Sequence, residues 1–274
     1  RGNNKSSQAS GTPACDGQKI YVNFLHKGAV VTSALDLTGR IVWQTTVSNY
    51  RTHQGFSSSP CLFGSLVLVS ADNRGGGAVV AMSRATGKVA WKQARPKKAN
   101  YTSPIVLRVS GRDQALMVGT NLVSSYDPQT GKKLWEIDGA TTECVTSVVT
   151  DGTRIFTSGG YPRNHVQAVL ADGSGKTAWQ NNQRVYVPSM VAHKKTLYAV
   201  LDAGIATAWD TTTGKTLWKK RLGGVFTSSL VLAGGNLYAT DESGQTTVFA
   251  ASREGLDIKA KNRLGQQTYS SMAI

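Results

Sequence analysis

Cysteine is scarce. Cys15, Cys61 and Cys144 are the only three in 274 residues, an odd number with no C-x-x-C spacing. That excludes a disulfide framework and a cysteine zinc site; the thiols read as small buried apolar groups. Histidine is nearly as rare: His26, His53, His165 and His193 fall at no metal-ligand spacing. No apolar run approaches the ~18 residues of a membrane span; Ser65–Val69 is of strand length. No stretch of ten residues keeps a helical period, which leaves strands as the main element. Carboxylates are few, 16 against 31 Lys and Arg, for a formal net charge of +15.

That charge favours anionic partners in general. Nucleic-acid binding would need cations concentrated on one element among aromatics. Here they are scattered, as Lys219-Lys220-Arg221, Arg95-Pro96-Lys97-Lys98 and Lys194-Lys195. A nucleic-acid partner is therefore not expected. Residues 1–11 hold no apolar core and do not read as a signal peptide.

What the chain does have is a repeat. Gly39–Trp43, Gly87–Trp91, Gly131–Trp135, Gly175–Trp179 and Gly214–Trp218 share the form Gly-x-x-x-Trp, with tryptophan steps of 48, 44, 44 and 39 residues. A sixth, worn copy runs from Gly255 to Lys259, placing Lys259 where tryptophan would stand. Each unit holds four strand-length runs parted by Gly, Asp and Asn turns. Residues 187–221 show this best, with strands at 188–192, 196–200 and 205–209 and a fourth opening at 215. Four antiparallel strands in about 40–45 residues make a β-propeller blade. Six blades are expected, near 12–48, 57–93, 102–138, 146–182, 187–221 and 227–263. Residues 268–274 resemble the first strand of a seventh. The domain then spans 12–274 behind an N-terminal segment 1–11, and is expected to be part of a longer chain whose propeller has seven or eight blades.

The turns have a chemical logic. Asp36, Asp127 and Asp210 suit Asx turns, and each repeated glycine suits positive φ. The tryptophans are expected to be structural, covering neighbouring blades and finding backbone acceptors for their N–H groups.

The pattern Ala-x-Asp-x-x-Thr-Gly-x-x-x-Trp, complete from Ala208 to Trp218, resembles the tryptophan-docking repeat of the PQQ-binding-like β-propellers. Ala81–Trp91 carries Ser83 for Asp, and Ser125–Trp135 carries serine for the first Ala. The resemblance implies one of two functions. One is a quinoprotein dehydrogenase oxidising alcohols or sugars with pyrroloquinoline quinone and Ca²⁺. The other is a non-catalytic, BamB-like module that binds a partner and works in the periplasm or outside the cell. The second is favoured. The enzymes are about twice as long, often carry an adjacent Cys-Cys pair, and need spare carboxylates. Here most aspartates fall in turns, and only Asp72, Asp202 and Asp241 stand where they could converge on a cation wanting six to eight oxygens. No catalytic residue, cofactor or metal ligand is assigned. The serines at 57–59 and 228–229 recur as strand starts rather than as nucleophiles.

Two candidate surfaces follow. Loops on a rigid scaffold carry recognition, which points to a rim containing Tyr50, Asn73, Arg74, Tyr161, Arg163 and His165 for a protein or peptide partner. The residue after the motif glycine is Arg40, Lys88, Lys132, Lys176 and Lys215 in turn. The repeat should place these five in equivalent turns, as a ring of cations for an anionic glycan or envelope surface.

Overall fold

A computed structural model of the chain describes residues 10–274. Residues 1–9, most of the expected N-terminal segment, lie outside the described residues. The described residues contain no helix. They divide into two compact units, one ending at Glu143 and the other spanning Cys144–Ile274.

The first unit holds three sheets. They are β1–β4 (Ala14–Cys15, Lys19–His26, Ala29–Asp36, Ile41–Asn49), β5–β8 (Cys61–Phe63, Leu66–Ser70, Gly77–Ser83, Val89–Arg95) and β9–β12 (Ile105–Val109, Arg112–Gly119, Leu122–Tyr126, Lys133–Asp138). The second unit also holds three: β13–β16 (Val149–Thr150, Arg154–Gly159, His165–Leu170, Thr177–Asn181), β17–β20 (Val191–His193, Thr196–Leu201, Ile205–Asp210, Thr216–Arg221) and β21–β24 (Val231–Ala233, Asn236–Thr240, Gln245–Ala250, Ile258–Arg263). Every sheet is antiparallel with its strands in chain order. These are the six expected propeller blades.

The second and third strands of each blade are the apolar ones. Leu66–Ser70 is buried throughout, as is Thr196–Leu201. Their alternating side chains feed the cores on the two faces of a blade. Val67, Val69, Val80 and Met82 pack on Tyr21, Val30 and Ala34 of the first blade. Leu68, Val79 and Ala81 turn the other way, to Ala115, Met117 and Tyr126 of the third. In the second unit, Leu197, Ala199 and Trp209 pack on Phe156 and Val166, while Tyr198, Val200 and Ala206 pack on Leu237 and Phe249.

The motif tryptophan faces a small residue on the third strand: Trp43 pairs with Ala34, Trp91 with Ala81, Trp135 with Ser125, Trp179 with Ala168 and Trp218 with Ala208. A register shift follows at once in every blade, the extra residue being absorbed where the strand enters its turn. The motif glycines take left-handed φ values between 63° and 88°. That conformation is cheap only without a Cβ. In three places the space matters as well. A Cβ on Gly87, Gly131 or Gly214 would lie 2.5–2.6 Å from the preceding blade's Trp43, Trp91 or Trp179.

The indole N–H completes the joint. Trp43, Trp91, Trp179 and Trp218 donate to the carbonyls of Arg84, Pro128, Thr211 and Ser252, each in the third turn of the following blade. Trp135 departs from this. Its N–H donates at 2.9 Å to Oε1 of Gln114, a fully buried residue of its own blade. The worn sixth copy also needs correcting. Val248 pairs with Ala260, and Ala250 N–H bonds to Asp257 O where Asp210 N–H bonds to Lys215 O in the fifth blade. The tryptophan position is therefore Ala260, not Lys259, and Leu256 takes the place of the motif glycine. Gly255 has no left-handed φ. Bulky Val248 opposite small Ala260 inverts the small–large pairing of the other blades.

The recurring serines form a second set of joints. The N–H of Thr12 donates to Ser59 Oγ, that of Ser59 to Ser103 Oγ, that of Ser147 to Ser189 Oγ, and that of Ser189 to Ser229 Oγ, all at 2.8–3.0 Å. Each bond ties the start of one first strand to the next. Ser229 N–H donates in the same way to Ser271 Oγ at 2.9 Å. Residues 268–274, expected as another first strand, thus take that strand's place in the series, but with no sheet partner they form no strand.

Charged groups also bridge neighbouring blades. The Arg253 guanidinium donates to Asp210 Oδ2, Lys195 O and Thr196 Oγ1, and holds the Asp210 carboxyl down at about 2. Arg84 pairs in the same manner with Asp16, keeping that carboxyl well below the usual range. Arg95, which the sequence grouped with exposed lysines, is instead buried with Asp72, each side chain 1% exposed. Its guanidinium also reaches Gly119 O, Thr120 and Ser124 of the third blade.

Truncating Trp91 to alanine should cost about 3–5 kcal/mol, as large aromatic deletions in a core do. Gly131→Ala, which leaves the indole intact but drives a methyl into it, should also destabilise. Urea midpoints that stay unchanged in both variants would contradict the joint described here.

Candidate functional site

In an antiparallel four-stranded blade the first and third turns lie at one end, and the second turn and the connection to the next blade lie at the other. The two candidate surfaces therefore occupy opposite ends of each blade.

At the third-turn end, the backbone of each motif cation is fixed identically. The carbonyls of Arg40, Lys88, Lys132, Lys176 and Lys215 accept from Asp36, Ser83, Asp127, Leu170 and Asp210 N–H. All five side chains are exposed. Arg40 differs in turning back onto Asp36 Oδ2 at 3.1 Å, so its charge is matched locally. The turns close as expected: Asp36, Asp127 and Asp210 each accept backbone N–H groups two to four residues ahead.

At the loop end, two expected contact residues belong to the interior. Tyr50 is buried, donates its hydroxyl to Gly55 O and meets Phe56 edge-on; burial pushes its phenol up to about 12. Asn73 is 1% exposed and all of its amide is used. Its nitrogen donates to the carbonyls of Ala71 and Gly76, and its oxygen accepts from Arg51 and Gly75 N–H. Both shape the loops rather than present a surface, because a Tyr or Asn beside Gly-rich turns is equally suited to closing them.

Arg74 does stand at this end, with its side chain half exposed. It lies 3.9 Å from the buried carboxylate of Glu143, which is 3.8 Å from His53 Nδ1. That nitrogen is 3.2 Å from the Tyr101 hydroxyl. The sequence reading missed this group. Its signal was the repeat: His53, Tyr101 and Glu143 occupy successive inter-blade connections.

In the second unit, Tyr161, Arg163 and His165 share the second turn of the fourth blade. Tyr161 is 54% exposed and Arg163 is exposed. His165 lies beneath them with both ring nitrogens buried and unbonded. Burial, with Arg163 nearby, pushes its imidazole down to about 4, so it is neutral at physiological pH. Two residues that the sequence reading left out complete the surface. A Cβ on Gly160 would fall 2.5 Å from Tyr186 Cβ, so the connection carrying Arg184 and Tyr186 rests against the turn carrying Tyr161 and Arg163. The Arg184 guanidinium lies 5.3 Å from the centre of the Tyr186 ring.

The aspartates considered for a cation do not assemble a site. Asp72 is paired with Arg95, Asp202 accepts from Tyr186 N–H, and Asp241 accepts from Ser243 and Gln245 N–H in its own turn. Among the described residues no three His, Cys, Asp or Glu gather as a metal would require. The oxygen set for Ca²⁺ beside a quinone therefore does not fit these residues. The three thiols are free, Cys144 buried and Cys61 partly so; Cys15, expected inside, is exposed in the short first strand.

The neutral His165 has a measurable consequence. An unfolded imidazole takes up its proton near pH 6.5 and the folded one near 4. Stability should therefore fall as pH drops from 6.5 to 4, by roughly 2–3 kcal/mol for this group. A His165→Phe variant should show a flatter denaturation midpoint over that window, and an identical slope would contradict the burial.

Comparison with known proteins places the chain. No curated protein matches its sequence. Among solved structures, BamB from Moraxella catarrhalis superimposes with a TM-score of 0.71 at 14% identity, over 97% of this chain and 77% of that one. Quinohemoprotein alcohol dehydrogenase from Comamonas testosteroni gives 0.71 at 12% identity, over 98% and 63%. Quinohemoprotein alcohol dehydrogenase ADHIIG from Pseudomonas putida HK5 gives 0.71 at 11%, over 94% and 59%. This chain thus spans less than two thirds of either dehydrogenase, and likeness at such identities is a likeness of fold. The family model described as outer membrane protein assembly factor BamB matches residues 3–218 and 162–259. With a PQQ-like repeat in sequence and propeller blades in structure, the chain belongs to this BamB family.

Proposed function

We propose that the chain is a non-catalytic scaffold on the envelope side of the cell, periplasmic or extracellular, which binds a protein partner through the loop end of its blades. One observation carries the reading. The repeat supplies the turns and joints of the blades, while the loop end of the fourth blade presents Tyr161 and Arg163, both exposed and outside that repeat. Arg and Tyr are the residue types that dominate protein-binding hot spots. The family description, an outer membrane protein assembly factor, supports both the location and a role in assembly.

The likeness to two quinohemoprotein dehydrogenases favours a second reading, a fragment of a quinone-dependent oxidoreductase. The aspartates described above give it no cation site. Reconstitution with pyrroloquinoline quinone and Ca²⁺ should yield neither cofactor absorbance nor dye-linked alcohol oxidation, and a gain of both would overturn the scaffold reading.

The scaffold reading is tested by photo-crosslinking in a bacterial envelope. A photoreactive side chain at Arg74 or Tyr161 should give a discrete adduct that mass spectrometry assigns to one protein. The same group at Lys88 or Lys215, at the opposite end of the blades, should not. Equal labelling from both ends, or none from either, would retire the reading.

A further inference from the structure

We infer that the second turn of the fourth blade and the connection to the fifth form an acidic-segment reader, with Arg163 and Arg184 taking carboxylates and Tyr161 and Tyr186 taking the segment's apolar side chains. The inference rests on the scaffold reading and names the chemistry of the partner.

The first support is an imbalance of charge. Arg40, Arg74, Arg84, Arg95, Arg108, Arg154 and Arg253 each have a carboxylate within 4 Å. Arg163 and Arg184, like Arg51, Arg112, Arg221 and Arg263, have no carboxylate within 4 Å among the described residues; what sets these two apart is that they stand on two loops that touch at Gly160 and Tyr186. Asp202, the carboxylate held at this junction by Tyr186 N–H at 2.9 Å, lies more than 4 Å from both guanidinium groups and pairs with neither. His165 beneath is neutral and offsets nothing. Lys219, whose Nζ donates to Gln183 Oε1 at 2.8 Å, adds a further cation beside Arg184.

The second support is preorganisation. Tyr186 is pinned by its backbone bond to Asp202 and by the close approach of Gly160, and its ring in turn carries the Arg184 guanidinium. A guanidinium stacked on an aromatic face keeps its N–H edge free and loses less freedom when a carboxylate docks against it in a fork. Tyr161 is the exposed ring on this surface, and Tyr186 is half-buried beside it. Cationic forks beside phenol faces suit an extended acidic segment with an aromatic or aliphatic residue among its carboxylates.

The test uses the full chain and a fluorescent 12-residue peptide of alternating Glu and Asp with one central Phe, read by anisotropy at physiological salt. A peptide with Gln and Asn in place of the acids is the neutral comparison. The acidic peptide should bind and the neutral one should not. Arg163→Gln with Arg184→Gln should weaken binding about tenfold or more, as loss of charge-assisted forks does, and Tyr161→Ala severalfold. Lys88→Gln with Lys176→Gln removes the same charge from the other end of the blades and should change affinity less than about twofold, as distant screened charges do. Thermal midpoints check that each variant is folded. No binding of the acidic peptide, equal loss in both double variants, or equal binding of the neutral peptide would overturn the inference. So would vesicles rich in phosphatidylglycerol that bind through the two arginines while the peptide does not. If the Arg74 photo-crosslink persists in Arg163→Gln with Arg184→Gln while peptide binding is absent from the wild type, the reader fails and the scaffold stands. If the wild type itself gives no Arg74 crosslink and no peptide binding, both fail.

Discussion

The fold depends on one repeated joint, an indole laid on a glycine. The tryptophan of the first, second or fourth blade projects over the third turn of the next, where the glycine has no Cβ to obstruct it, and its N–H reaches a carbonyl in the same turn; Trp218 keeps the carbonyl bond without the glycine. Three requirements meet at that point: a large apolar surface to remove from water, a buried donor that needs an acceptor, and a left-handed residue that closes a tight hairpin. A substitution at either end of the joint damages both blades. Even where the indole N–H turns inward, at Trp135, the donor finds a partner in Gln114.

Around that joint the polar groups are satisfied by equally periodic devices. Serine hydroxyls link successive first strands, aspartates close the turns, and Arg84, Arg95 and Arg253 reach from blade to blade. A repeat that meets its own needs in this way leaves function to whatever the turns do not consume. The acidic residues show the principle plainly: those that could have formed a cation site are spent on Arg95, on Tyr186 N–H and on a local turn. The unmatched arginines at the junction of the fourth and fifth blades are the reverse case.

The surface at that junction is made of unrelated parts. Gly160 lies in a turn of the fourth blade and Tyr186 in the connection to the fifth, and neither follows a motif, yet they meet and so set the loop carrying Arg163 against the one carrying Arg184. The corresponding loops of the first and second blades hold Tyr50 and Asn73, residues of equally suitable type that serve only to shape the backbone. Residue type selects candidates for a surface, and burial decides among them.

The sequence by itself determined the fold class, the blade boundaries, the turn chemistry and the structural role of the tryptophans, because each rests on local spacing that recurs with the repeat. It misplaced the sixth copy by one residue, since the register depends on the size match of Val248 with Ala260 rather than on Gly255. Only the tertiary structure decided which loop residues are free. Whether Tyr50 points inward, whether Arg95 finds Asp72, and whether Arg184 lies on Tyr186 depend on groups in other strands or other blades. Solvation of a side chain is fixed by what packs against it, and no local pattern in the chain carries that.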